Sequence, residues 1–299
     1  MAAVQLRGVY VPLITPFDES GGVALDAVER LVQEYLDAGV AGIVALGTTG
    51  EASALDTAEK RAVIDACARV CSERDAHLIV GAGTNNTAAT IAAVEALHGT
   101  PALAGALVVV PYYVRPSEAG IVAHFEAVAD ASPVPLVLYN IPQRTGRALS
   151  AAGVLRAAQH PNITGLKQAV GALDVDTLEI LAGAAPGFGV LAGDDPFIYP
   201  AVLMGGAGAI AASAHVCTER FVAMVECGLA GKLDDGRGHA EALLPVVEAC
   251  FAEPNPVVFK AVLHAQGRIP TPDVRLPLLP ASDAARERAL AAITAATSA

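Results

Sequence analysis

Residues 136–167 read LVLYNIPQRTGRALSAAGVLRAAQHPNITGLK. The segment opens on a short apolar run, Leu136-Val137-Leu138-Tyr139, and crosses a turn containing Pro142 and Gly146. It then holds a helical stretch over 151–159 and closes on a second short run, Ile163-Thr164-Gly165-Leu166-Lys167. Short, continuous apolar strands are those of a parallel sheet covered on both faces, and the intervening stretch is long enough for a helical crossover. The same alternation extends in both directions. Strands are expected at 9–14, 42–46, 78–81, 106–110, 136–139, 163–167, 189–192 and 209–212. Helices are expected at 26–38, 56–70, 88–97, 118–131, 151–159, 175–182, 197–204 and 219–230. In the first helix Val28, Leu31, Val32, Tyr35 and Leu36 share a face, and in the second Asp56 with Glu59 has capping-box spacing.

Eight strands alternating with eight helices predict an α/β fold, a closed (β/α)8 TIM barrel. An open doubly wound sheet would be expected to carry a glycine fingerprint after its first strand. The string Gly206-x-Gly208-x-x-Ala211 matches one, but it follows a helix and runs into a strand, which is the wrong context for a dinucleotide. The barrel is expected to occupy 1–232. Residues 233–299 are expected to form a C-terminal helical extension, with helices near 241–251, 256–266 and 284–295 and a proline-rich loop at 267–281. A length of 299 residues suits this single large unit.

Composition narrows the function classes. The chain is 54% hydrophobic and 17% charged, which excludes disorder. With 19 basic against 31 acidic residues its net charge is −12, the wrong sign for a nucleic-acid partner. A mean hydropathy of +0.49 raises the question of a membrane span. The most apolar run, 197–214, contains Pro200 and the Gly205-Gly206 pair and reads as a short helix followed by a buried strand. The N-terminal residues have no secretory pattern, and the five cysteines lack C-x-x-C spacing, so a cytoplasmic protein with reduced thiols is expected. The histidines are dispersed, without H-E-x-x-H or H-x-H, so no metal site is expected.

In a (β/α)8 barrel the chemistry lies at the C-terminal strand ends. Those ends carry Gly47-Thr48-Thr49-Gly50-Glu51, Pro111-Tyr112-Tyr113, Tyr139-Asn140-Ile141-Pro142, Lys167-Gln168, Gly193-Asp194-Asp195 and Ser213. The chain has only four lysines. Lys60 and Lys232 have charged neighbours and read as solvated, and Lys260 lies in an apolar helix from which it could snorkel. Lys167 ends a strand, so its stem passes through the barrel mouth. It is either the partner of a carboxylate or, since burial favours the neutral amine, a nucleophile toward carbonyls. Tyr139 is either a packed aromatic or a hydroxyl that shuttles protons to such an amine. Thr48, Thr49 and their glycine-rich turn offer hydroxyls and N–H groups suited to a carboxylate.

Together with Leu191-Ala-Gly-Asp-Asp195 and Glu253-Pro-Asn-Pro256, these strings resemble the pyruvate-dependent family of dihydrodipicolinate synthase and N-acetylneuraminate lyase, over nearly the whole chain. The resemblance implies a barrel with a helical extension and no cofactor beyond a covalent imine between Lys167 and pyruvate. It implies that Tyr139, Thr48 and Tyr113 relay protons, with Tyr113 lent to the neighbouring subunit. Thr49 is implied to hold the pyruvate carboxylate, and Gly193 and Ile210 to line the pocket with carbonyls. A homotetramer of dimers is the family habit. Arg144 occupies the place where the synthases grip the carboxylate of aspartate semialdehyde, a task for which a guanidinium fork is fitted.

Two departures from the family pattern stand out. Gln168 follows the lysine where many synthases have an acid, implying altered electrostatics around Lys167. Ala89 and Thr57 replace a glutamate and a histidine of lysine-inhibited members, which argues against feedback inhibition by lysine.

The expected activity is condensation of pyruvate with L-aspartate 4-semialdehyde to 4-hydroxy-tetrahydrodipicolinate, a lyase step of lysine and diaminopimelate biosynthesis. The runner-up is a pyruvate-dependent aldolase of a 2-keto-3-deoxy sugar acid or N-acetylneuraminate. A ligand-binding barrel without turnover is the third reading.

Overall fold

A computed structural model describes residues 5–298. Eight parallel strands close on themselves in chain order. They are β1 (Gly8–Pro12), β2 (Gly42–Ala45), β3 (His77–Gly81), β4 (Leu103–Val109), β5 (Leu136–Asn140), β6 (Ile163–Gln168), β7 (Gly189–Ala192) and β8 (Gly208–Ile210). Around the barrel lie α1 (Leu25–Asp37), α2 (Thr57–Glu73), α3 (Thr87–Glu95), α4 (Glu118–Ala131), α5 (Pro142–Thr145), α6 (Ala151–Ala157), α7 (Val175–Gly183), α8 (Ile198–Leu203) and α9 (Thr218–Leu229). Helices α10 (Leu233–Cys250), α11 (Val257–Ala265) and α12 (Asp283–Ser298) follow the barrel. None of the described helices is long and apolar enough to cross a membrane.

Strand alternation divides the core into two layers. Tyr10, Val44, Ile79, Leu107, Val137, Tyr139, Leu191 and Ile210 point into the barrel and pack on one another. The alternate residues, among them Val9, Ile43, Val80, Val108, Leu138 and Leu166, meet the helices in the larger outer layer. All five cysteines are free, and four of them are buried.

Differences from the expected elements are local. The four-residue helix α5 lies outside the expected elements. Helix α10 begins at Leu233, eight residues before the expected 241. Strand β8 stops at Ile210 because residues 212–215 turn into a short 3-10 helix.

Candidate active site

Lys167 and Tyr139 are register partners at the ends of β6 and β5, both directed into the barrel mouth. The Lys167 Nζ stands 4.5 Å from the centre of the Tyr139 ring. Both side chains are buried, with exposures of 7% and 6%. They share a cavity of about 500 Å³ with Thr48, Thr49, Arg144, Gly193 and Ile210. Seven of the eight residues expected at the site therefore converge. Tyr113 is the exception at 88% exposure, with its backbone at φ 70°.

Each element explains its contribution. Thr49 is buried and its Oγ1 accepts a hydrogen bond from Asn255 Nδ2 at 3.0 Å, whereas Thr48 is exposed to the cavity. Their turn is a 3-10 segment that ends at Glu51, a residue in the left-handed region at φ 52°. Arg144 rides on α5 at the rim. The Asn140 amide bonds the Leu149 N–H and carbonyl and so anchors that connection. Gly193 is needed for space, since a Cβ there would lie 2.9 Å from both Cγ and Cε of Lys167. A second cavity of about 430 Å³ adjoins the first, shares Thr48, Tyr139, Ile141 and Arg144 with it, and extends past Tyr112 to Lys60.

Strand alternation sends Gln168 outward, where it accepts from Asn140 Nδ2 and donates to Thr177 Oγ1, each at 3.1 Å. Two readings are corrected. Lys260 does not snorkel. Its side chain has no exposure and Nζ donates to Glu51 Oε1 at 2.7 Å. Lys60 is half-buried at the second cavity rather than freely solvated. Only Lys232 is exposed as expected.

Sequence reasoning assigned no role to Asn255, Asp195 or Phe251, although all three line the cavity. The signals were present, because Asn255 lies in Glu253-Pro-Asn-Pro256 and Asp195 in the strand-end Gly193-Asp194-Asp195. Asp195 is buried and its Oδ2 accepts the Ser213 N–H at 2.6 Å, which ties the end of β7 to the segment after β8. Burial raises its pKa above the ordinary carboxylate value, against the lowering effect of Ser213. Among the described residues no cluster of His, Cys, Asp or Glu is placed to hold a metal.

An amine beside a phenol, with hydroxyls and a guanidinium around the same space, suits carbonyl chemistry on a small acid. Comparison with known proteins points the same way. The chain is 38% identical over 294 residues to 4-hydroxy-tetrahydrodipicolinate synthase of Neisseria meningitidis, covering 97% of this chain and 99% of that one. It is 40% identical over 290 residues to the enzyme of that name from an Exiguobacterium species, covering 97% of each. The crystal structure of dihydrodipicolinate synthase from Thermotoga maritima superposes with a TM-score of 0.94 at 31% identity, covering 98% of this chain and 99% of that one. The profile of the dihydrodipicolinate synthetase family matches residues 5–296, and the chain belongs to that family.

Proposed function

We propose that the chain is a lyase of the class I aldol type that condenses pyruvate with L-aspartate 4-semialdehyde to 4-hydroxy-tetrahydrodipicolinate. The observation that carries this reading is the placement of Lys167 Nζ over Tyr139 in a cavity that also holds Thr49 and Arg144. The Lys167 amine attacks C2 of pyruvate, and loss of water gives an imine whose protonated form acidifies the methyl group. Removal of a methyl proton leaves an enamine, which attacks the aldehyde carbon. The amino group of the semialdehyde then adds to C2 and displaces Lys167, closing a six-membered ring and freeing the enzyme. The only group covalently engaged is thus the side chain of Lys167, and no cofactor is required.

Tyr139 and Thr48 face this chemistry and serve as the proton relay, with the hydroxyl of Tyr113 supplied by a second subunit. Thr49 binds the pyruvate carboxylate, Gly193 and Ile210 line the pocket, and Arg144 at the rim holds the carboxylate of the semialdehyde. That guanidinium favours the semialdehyde over the polyol chain of a sugar acid, the competing substrate class. We further infer a homotetramer built from dimers, acting in the cytoplasm, with no nucleic-acid or membrane partner and no feedback inhibition by lysine.

Incubation with pyruvate and borohydride, followed by peptide mass spectrometry, tests the assignment. A reduced three-carbon adduct is expected on Lys167. Labelling of Lys260 instead, or of no lysine, overturns it.

A further inference from the structure

Behind the Thr48-Thr49 turn lies a buried ionic contact that the proton relay does not use. Lys260 of α11 donates to Glu51 Oε1 at 2.7 Å, and the Arg275 backbone N–H donates to Glu51 Oε2 at 2.8 Å. Both side chains of the pair are shielded from solvent, with exposures of 0% and 2%. Lys260 Nζ also sits 3.9 Å from the centre of the Phe17 ring. Glu51 closes the turn from within, because its own N–H donates to the Thr48 carbonyl at 3.1 Å. Its left-handed backbone, at φ 52°, is a conformation that a residue with a side chain keeps only when its surroundings hold it there. The neighbouring Thr49 hydroxyl is met by Asn255, from the same extension. A buried ion pair is a weak source of stability, since removing its charges altogether is often neutral, but it fixes one geometry over others.

We propose that Glu51 is a positioning residue for the pyruvate subsite, clamped by Lys260 and the Arg275 backbone so that the C-terminal extension sets the Thr48-Thr49 turn. This rests on the Schiff-base reading of the site. Glu51 touches no reacting atom and acts through Thr49.

The test measures the pyruvate concentration that half-saturates borohydride trapping at Lys167, in wild type, Glu51→Gln, Thr49→Val and the double variant. Glu51→Gln keeps the side-chain shape but removes the charge that Lys260 meets. For a variant with wild-type circular dichroism, half-saturation should rise at least tenfold, while the KM for the aldehyde stays within about twofold. The double variant should be no worse than Thr49→Val alone, because the two changes disable the same contact. A folded Glu51→Gln protein with wild-type half-saturation, or effects that multiply independently, overturns the proposal. A merely structural role would lower the melting temperature and leave half-saturation unchanged.

Should Glu51→Gln fail to fold, hydrogen exchange on the wild-type enzyme decides the matter. Pyruvate should slow exchange in residues 48–55 and in the Arg275 amide together, and protection confined to 48–55 refutes the clamp. If wild type traps no pyruvate at Lys167, the Schiff-base reading fails and this proposal falls with it. If wild type traps normally and the variants do too, the positioning role alone is lost.

Discussion

Gly193 shows how one missing side chain shapes the site. Its hypothetical Cβ meets Ala169 as well as the Lys167 stem at 2.9 Å, so Gly193→Ala should push the amine out of line. Overpacking of this kind costs roughly 1–3 kcal/mol; if that strain falls on the reactive position of the amine, trapping of pyruvate should slow about 5- to 150-fold in a protein that still folds. An unchanged trapping rate would show that Lys167 reaches its substrate by another path. Arg144 makes the matching prediction for the second substrate. If it holds the semialdehyde carboxylate as proposed, losing that charge-assisted contact costs roughly 2–4 kcal/mol, so Arg144→Ala should lower kcat/KM for the semialdehyde by about 30- to 1000-fold. Pyruvate trapping should stay near wild type, and its loss would mark Arg144 as structural. At this scale the sequence was informative where chemistry breaks an apolar pattern: a lysine ending a strand is visible in one dimension. The partners of Lys260 and the facing of Gln168 were not, because Glu51 lies 209 residues from Lys260 and only the closed barrel brings them together.

Elements were legible wherever their hydrophobic period ran uninterrupted, and obscured where packing demanded glycine. The first turns of α10, outside the expected 241–251, contain Gly236 and Gly238, and Gly236 is required because a Cβ would lie 2.4–2.7 Å from the Tyr199 ring. Helix α2 shows the opposite case. Its capping box is formed as read, with Asp56 accepting the Glu59 N–H at 2.8 Å and Glu59 accepting the Asp56 N–H at 3.0 Å.

The 3-10 segment after β8 carries an acid-sensitive contact. His215 is buried, with Nδ1–H donating to the Ala212 carbonyl at 2.7 Å and Nε2 accepting the Ile14 N–H at 3.1 Å. That pair of contacts requires the neutral ring, and burial pulls its pKa from 6.5 down to about 3. The unfolded chain therefore binds the proton first. The contribution is complete above about pH 6.5 and is lost as pH falls toward 3, with about 2 kcal/mol of it gone by pH 5. In urea denaturation, the stability advantage of wild type over His215→Gln should shrink by that amount between pH 7 and pH 5. An advantage independent of pH would mean that His215 is not held neutral.

At the scale of the whole molecule, the segment 112–115 is unexplained by its own chain. Tyr112, Tyr113 and Val114 are 41%, 88% and 58% exposed, and Tyr113 and Arg115 hold left-handed backbones at φ 70° and 46°. Arg115 Nε fixes the segment to the Gly146 carbonyl at 3.1 Å, beside the Arg144 helix, so the exposed aromatics are displayed in a set conformation. Large apolar side chains held outward on strained backbone are what an interface presents before its partner arrives. If the partner is a second copy related by a twofold axis and Tyr113 reaches its site, as proposed, the exchange is reciprocal. Tyr113→Phe and Tyr139→Phe homodimers should then both be impaired, each lacking one hydroxyl at every site. Mixed after dissociation, the two chains form hybrids in which one site keeps both hydroxyls and the other loses both. Random pairing makes half the dimers hybrid, each with one whole site, so activity should recover to about a quarter of wild type. Native mass spectrometry would establish that hybrids have formed. Hybrids no more active than the parent variants would place Tyr113 outside its neighbour's site and make the pocket of one chain sufficient.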